Sequence, residues 1–217
     1  MGNNEIRLSP SSLNLFLECP LCFWLRFRRG IVRPEGYHST LLTTFDREIK
    51  NYFDKFRGSL PPELVEKVKG KLVEDLNQWR NTRHPGLIYY PEPGIRFAGA
   101  LDDCLLVNKK GKKYLPIDFK TRGKSIDEEI PSYSQMQLDC YALLLQKNGY
   151  PIEGHGYLIY YILEKIRSNA LAEFKIEVVE VKLNPDQALN VIKEAIKVLR
   201  SPEPAPSLTC PYCQYRG

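Results

Sequence analysis

The chain has 217 residues, 43% of them hydrophobic, enough for one packed core and too few for several full domains. Its 31 Lys and Arg against 26 Asp and Glu leave a net charge of +5, which permits a polyanionic partner without demanding one. No apolar run reaches membrane-spanning length, and the opening Met1-Gly2-Asn3-Asn4-Glu5 lacks a signal peptide's hydrophobic stretch. These features read as a soluble cytoplasmic protein with no membrane partner. The six cysteines are then expected to be thiols rather than a disulfide framework.

Ser9 followed by Pro10 is a helix start: a hydroxyl cap, then a residue whose missing N–H costs nothing in the first turn. Leu13, Phe16 and Leu17 give this helix an apolar stripe up to Cys19-Pro20. Leu21 to Arg29 then interleaves aromatic and basic residues. Two readings stay open for Arg26, Arg28 and Arg29: charged heads that snorkel from a buried helix, or contacts to phosphates. Residues 38–57 are expected to form the next helix, with Leu42, Phe45, Ile49, Phe53 and Phe56 inward. Asp46 lies at the border of that stripe, where a carboxylate is costly unless paired or bound to metal. Pro61-Pro62 is expected to open a further helix to about Trp79, with Val65, Val68, Leu72, Leu76 and Trp79 on one face. The run from Arg80 to His84 reads as a solvated helix end or a nucleic-acid contact.

Residues 86–90 and 95–107 read as strands, the second carrying Asp102 and Asp103. A polar tip at 108–113 turns the chain into a return strand from Tyr114 to Thr121, so a hairpin is expected. Side chains alternate along a strand, which puts Asp118 and Lys120 on one face and Ile117 and Phe119 on the other. Asp103 likewise points away from Asp102. If pairing sets Asp102 beside Asp118, the two carboxylates repel by on the order of 4 kcal/mol at an intermediate dielectric. A hard dication, Mg²⁺ or Mn²⁺, converts that penalty into ligation. Residues 123–129 read as a polar loop in which Lys124 is either solvated or a phosphate contact. A helix over about 131–147 carries Gln137 and Tyr141 one turn apart on one face and stops at Asn148-Gly149. Strands over 152–163 and 171–181, and a helix opened by Asn184-Pro185, complete an α/β fold with an α+β mixed sheet.

The tail carries Cys210-Pro-Tyr-Cys213, a counterpart to Cys19-Pro-Leu-Cys22 near the start. Two such knuckles supply four thiolates, the donor set of a shared zinc or iron–sulfur site. By analogy with a disulfide closing a loop that long, the tie would restrict the unfolded chain by roughly 5 kcal/mol. Cys104 and Cys140, inside a strand and a helix, read as core residues.

In order and spacing, Gly99-x-x-Asp102, Asp118-x-Lys120 and Gln137-x-x-x-Tyr141 resemble the pattern of the RecB-like, CRISPR-associated exonuclease-like branch of the PD-(D/E)XK nucleases. The stretch from Leu8 to Pro20 resembles that family's opening. The resemblance implies a restriction-endonuclease-like core with Mg²⁺ or Mn²⁺ held by Asp102, Asp118 and the Phe119 carbonyl. It makes Lys120, Gln137 and Tyr141 the further catalytic residues. The family usually places a metal-binding histidine on the helix that here carries Thr44-Phe45-Asp46, so Asp46 is a third candidate ligand and His38 a substitute for it. Relatives often carry a [4Fe–4S] cluster, with one cysteine ahead of the core and three behind. Here the split is two and two, which keeps zinc as the alternative.

The implied organisation is a single domain over 1–217, with a helical part at about 9–80, a nuclease core at about 86–200 and a cysteine-bearing tail at 201–217. The implied activity is metal-dependent hydrolysis of DNA phosphodiesters, as an exonuclease on single strands or duplex ends. Its setting would be DNA processing, repair or CRISPR adaptation, with protein partners of such a complex. The other reading is a catalytically inactive nucleic-acid-binding or accessory module that keeps the fold.

Overall fold

The computed structural model describes residues 5–34, 39–83, 86–108, 111–123 and 130–214. His38, His84 and Lys124, which the sequence raises, lie outside the described residues.

Strand β1 (Ile6–Leu8) leads into helix α1 (Pro10–Glu18) through a capping box. The Ser12 N–H donates to the Ser9 hydroxyl, and the Ser9 N–H donates to the Ser12 hydroxyl. Cys19 ends α1 and begins α2 (Pro20–Arg29), which stops at Gly30 with φ 67°. Helix α3 (Thr40–Phe53) buries less than its apolar stripe suggests. Ile49 and Phe53 are buried, Phe45 and Phe56 are half-buried, and Leu42 is 53% exposed. The helix reaches the sheet along one edge, where Phe45 stacks on Phe174 at 4.6 Å and Phe53 packs on Phe119 with ring centroids 4.6 Å apart.

No helix runs from Pro61 to Trp79. Short 3₁₀ turns at Pro62–Leu64 and Asn77–Arg80 flank strand β2 (Lys71–Leu72) instead. Gly70 accounts for the difference: its φ is +105°, closed to a helix, and a Cβ there would meet the Leu106 carbonyl oxygen at 2.7 Å. Val68, Leu72, Leu76 and Trp79 are still buried, whereas Val65 is exposed.

Strands β3 (Ile88–Glu92), β4 (Ile95–Ala98) and β5 (Asp103–Asn108) replace the two strands expected there. Residues 95–107 are thus not one strand but two, and they lie in different sheets. The first sheet has the order β1-β4-β3. Next come β6 (Lys112–Arg122), α4 (Ser132–Lys147), β7 (His155–Ile166), β8 (Ala172–Lys182), α5 (Pro185–Arg200) and α6 (Pro211–Gln214). The second sheet has the order β2-β5-β6-β7-β8. Its β5–β6 hairpin is antiparallel with Asp103 opposite Ile117, and α4 is the crossover that makes β6 and β7 parallel.

Helices α4 and α5 cover one face of the larger sheet through Leu138, Leu144, Leu158 and Ile192. Helix α3 covers the other through Ile49, Phe53, Leu105 and Ile117. The result is a mixed α/β fold of the restriction-endonuclease-like type. The switch between sheets occurs at Gly99 to Asp102. A Cβ on Gly99 would lie 2.9 Å from Leu144 Cδ1 and 3.3 Å from Tyr141 Cε1, so the glycine lets this crossing pass close to α4.

Asp103 anchors the crossing on the side away from Asp102. It is wholly buried, and Arg57 holds it with two hydrogen bonds of 2.8 and 2.5 Å while Arg80 stands 3.6 Å off. The Cys104 N–H also donates to it at 2.7 Å. A carboxylate taken out of water needs such donors. Asp103→Ala is expected to lower stability by about 3–5 kcal/mol in urea denaturation, because Arg57 loses its buried partner. A loss below about 1 kcal/mol, the scale of a surface pair, would show that the clamp contributes little.

Candidate active site

The hairpin sets Asp102 beside Asp118. One Asp102 oxygen, Oδ2, accepts the Phe119 N–H at 3.1 Å, while the Phe119 ring turns to the opposite face. Asp118 is 1% exposed, and both its oxygens are buried without a hydrogen bond. Lys120 Nζ lies 2.5 Å from Asp118 Oδ2 as an ion-pair contact, outside hydrogen-bonding angles. Burial, with Asp102 adding to it, pushes the Asp118 carboxyl up to about 7 against the opposing pull of Lys120.

From Lys120 the contacts run into α4. Lys120 Nζ donates to Gln137 Oε1 at 3.1 Å, and Gln137 Nε2 donates to the Tyr141 hydroxyl at 2.8 Å. One helical turn separates Gln137 from Tyr141, which is why both side chains reach the same strand. Tyr141 is buried, and that burial raises its hydroxyl pKa further above the ordinary range. Asp102, Asp118, Lys120, Gln137 and Tyr141 therefore form one connected polar chain across the sheet and α4.

Sequence reasoning missed Lys50, although its i,i+4 spacing from Asp46 was the available signal. Its ammonium lies 2.8 Å from Asp46 Oδ2 and 2.8 Å from Asp102 Oδ1. Burial alone would lower the Lys50 pKa, but Asp102 and Asp46 raise it. Asp46 thus joins the site through Lys50 rather than directly, and the three carboxylates are not drawn together as closely as the cysteines are. Two ammonium groups balance three carboxylates here, and Asp118 keeps unmet acceptor capacity in a buried place. Hard oxygen donors with that deficit fit a Mg²⁺ or Mn²⁺ ion.

The basic residues divide. Arg29 is taken up by Glu203 at 2.7 Å and by the Trp24 ring at 5.4 Å. Arg26 and Arg28 are exposed and make no ion pair among the described residues, with Arg26 resting over Phe27 at 5.7 Å. Arg80 is committed to Asp54 at 2.6 Å and to Asp103, so it serves the clamp instead of a nucleic-acid contact.

The chain ends meet at the cysteines. Cys19 and Cys22 lie at the start of α2, Cys210 and Cys213 at α6, and their four sulfurs are all within 4.8 Å of one another. Cys19 and Cys213 sulfurs are 3.4 Å apart, Cys22 and Cys210 sulfurs 3.8 Å. Leu21, Trp24 and Leu25 close the cluster off from water. Arg33 adds positive charge: its Nη2 donates to Cys210 Sγ at 3.5 Å, and it lies over the Tyr212 ring at 4.7 Å. Burial would raise the Cys210 thiol, but the Cys213 N–H and the neighbouring thiols bring it down to about 7. Cys22 and Cys213 shift the other way, upward under burial and their neighbouring thiols, so a bound cation is what would hold all four as thiolates. Cys104 and Cys140 are core residues, each fully buried. A cavity of about 610 Å³ lies beside the cysteines, between Leu25, Val32 and Tyr212.

No curated protein matches the chain. It superposes on the solved structure titled "Crystal structure of SSO0001" with a TM-score of 0.44 and 14% identity, over 100% of this chain and 86% of that one. A sequence model of the PD-(D/E)XK nuclease superfamily matches residues 7–217. That span holds the whole polar chain from Asp46 to Tyr141 and all four clustered cysteines, and on it the chain belongs to the PD-(D/E)XK nuclease superfamily, whose members are metal-dependent nucleases.

Proposed function

We propose that this chain is a Mg²⁺- or Mn²⁺-dependent deoxyribonuclease of the RecB-like, CRISPR-associated exonuclease-like branch, acting in the cytoplasm on single strands or duplex ends. The observation that carries the reading is the unbroken contact chain Asp118–Lys120–Gln137–Tyr141 with Asp102 alongside. Asp102, Asp118 and the Phe119 carbonyl would hold the ion, and Asp46 would join them if Lys50 withdraws. A bound ion supplies a Lewis acid at the scissile phosphate and acidifies a water. Lys120 orients that water or offsets the charge that builds on phosphorus. Gln137 and Tyr141 fix the ammonium, so its position costs nothing when the reaction occurs. Repair or CRISPR adaptation, with protein partners of such a complex, is the setting that the resemblance implies.

The cysteines are proposed to hold a [4Fe–4S] cluster or a zinc ion. At a Zn–S length of about 2.3 Å, the edges of a ZnS₄ tetrahedron are about 3.8 Å. Two of the sulfur pairs stand at 3.4 and 3.8 Å and all four sulfurs lie within 4.8 Å of one another, a spacing nearer that of a single ion. A four-iron cube would need the sulfurs spaced further apart than this. An absorption spectrum with metal analysis of anaerobically purified protein separates the two.

The inactive-module reading has one observation in its favour: Lys50 and Lys120 already offset two of the three carboxylate charges from within. Titrating Mg²⁺ and Mn²⁺ with labelled single- and double-stranded DNA distinguishes the readings. Cleavage is expected to appear with the ion, vanish in EDTA and return with Mn²⁺. Binding without cleavage at any ion concentration would leave the inactive module.

A further inference from the structure

Helix α4 carries a third side chain on the face that presents Gln137 and Tyr141. Tyr133 stands one turn before Gln137, so positions 133, 137 and 141 form one stripe. The inner two are Tyr141, buried, and Gln137, bound to Lys120. Tyr133 is 48% exposed, and its ring lies over the Lys120 ammonium, 5.9 Å from Nζ to centroid. An aromatic face is thus offered to solvent directly above the amine of the proposed reaction centre.

Tyr133 also forms one wall of a groove of about 440 Å³. Ser11 and Asn14 of α1 and Arg26 of α2 line it as well, and Asn14 Nδ2 donates to the Tyr133 carbonyl at 3.4 Å. Glu18 is the carboxylate in this groove, and Arg33 holds it at 2.5 Å. Arg26 has no acidic partner among the described residues, so the groove keeps a net positive lining. On the other side of Lys120, Arg122 occupies the same face of β6 two residues on. It lies over the buried Tyr160 ring at 5.1 Å and is likewise without an ion pair among the described residues. The amine therefore has an aromatic face over it and Arg122 beside it, and Arg26 lies further along the groove that Tyr133 walls, neither guanidinium ion-paired among the described residues.

We infer that the groove from Lys120 across Tyr133 to Arg26 is a track for single-stranded nucleic acid, with one unpaired base stacked on Tyr133 and the neighbouring phosphates facing Arg26 and Arg122. The inference rests on the nucleic-acid reading above, adds the strand's path and narrows single strands or duplex ends to an unpaired strand. A base inside a duplex has both faces covered, so a protruding ring of this kind selects unpaired strands. Stacking tolerates any base, so the track carries no sequence preference of its own.

The test is a short oligothymidylate containing one 2-aminopurine, titrated with intact protein in EDTA so that hydrolysis is arrested. Wild type and Tyr133→Phe are expected to bind it and quench the fluorescence. Tyr133→Ala is expected to bind about 5- to 100-fold more weakly and lose the quenching, with unchanged duplex binding and thermal stability. Arg26→Gln keeps Tyr133 in place and is expected to weaken binding at low salt and flatten the salt dependence by about one ion. Quenching and affinity unchanged in both variants would overturn the track while leaving the nuclease reading intact. No binding of either nucleic-acid form by wild type would overturn both.

Discussion

Lys120→Ala is expected to slow phosphodiester cleavage about 100- to 1000-fold, the usual cost of removing one charge-stabilising group, while binding DNA nearly as well as wild type. The structure explains why the loss should fall on chemistry. Lys120 is fixed between Asp118 at 2.5 Å and Gln137 at 3.1 Å, so its ammonium is committed to the carboxylate pocket. Asp118 itself is buried and would lose its nearest cation, so in the metal-free variant the carboxyl would hold its proton more tightly still. Single-turnover cleavage and fluorescence anisotropy of the same oligonucleotide, read side by side, check this. Equal cleavage by variant and wild type would remove Lys120 from the reaction, and an equal loss of binding would make it a substrate anchor instead.

Cys213→Ser is expected to have the largest effect on the fold. The cysteines join residues 194 positions apart, and a tie over a loop of that length restricts the unfolded chain by about 5 kcal/mol on the disulfide analogy. Loss of one thiolate should release the metal or cluster and free the α6 tail, leaving the rest of the fold without the tie between its ends. Metal analysis should show the thiolate-bound centre absent, and denaturant midpoints should fall by an amount of that order. Unchanged stability with the metal retained would mean that three thiolates suffice. Unchanged stability with the metal lost would mean that the tail is held by packing on Leu21 and Trp24.

Much of the larger sheet was legible from alternation alone, since Asp118 and Lys120 had to share a face if Ile117 and Phe119 were core. The hairpin followed from a lysine- and glycine-bearing turn between two β-rich runs. Other segments hid behind coincidences of spacing. Val65, Val68, Leu72, Leu76 and Trp79 recur at helical intervals, yet a left-handed Gly70 packed on the Leu106 carbonyl forbids the helix. The apolar run from Ile95 to Val107 looks continuous, but Gly99 carries it under α4 into a second sheet.

The polar partners were harder still. Nothing in a single sequence says that Arg57 will reach Asp103, 46 positions away, or that Lys50 will stand between Asp46 and Asp102. Both depend on how α3 and the turns after it fold back over the sheet. The knuckles were visible because each pair is local. Their meeting was an expectation from chemistry, and the terminal helices bring it about.

The central claim is that Asp102 and Asp118 together hold a divalent ion beside Lys120. Anomalous diffraction from crystals soaked in Mn²⁺ tests it most directly. The account predicts a manganese peak within ligand distance of both carboxylates, with Lys50 drawn away from Asp102. A site with no such peak, and with Lys50 and Lys120 still seated on the two aspartates, would contradict it.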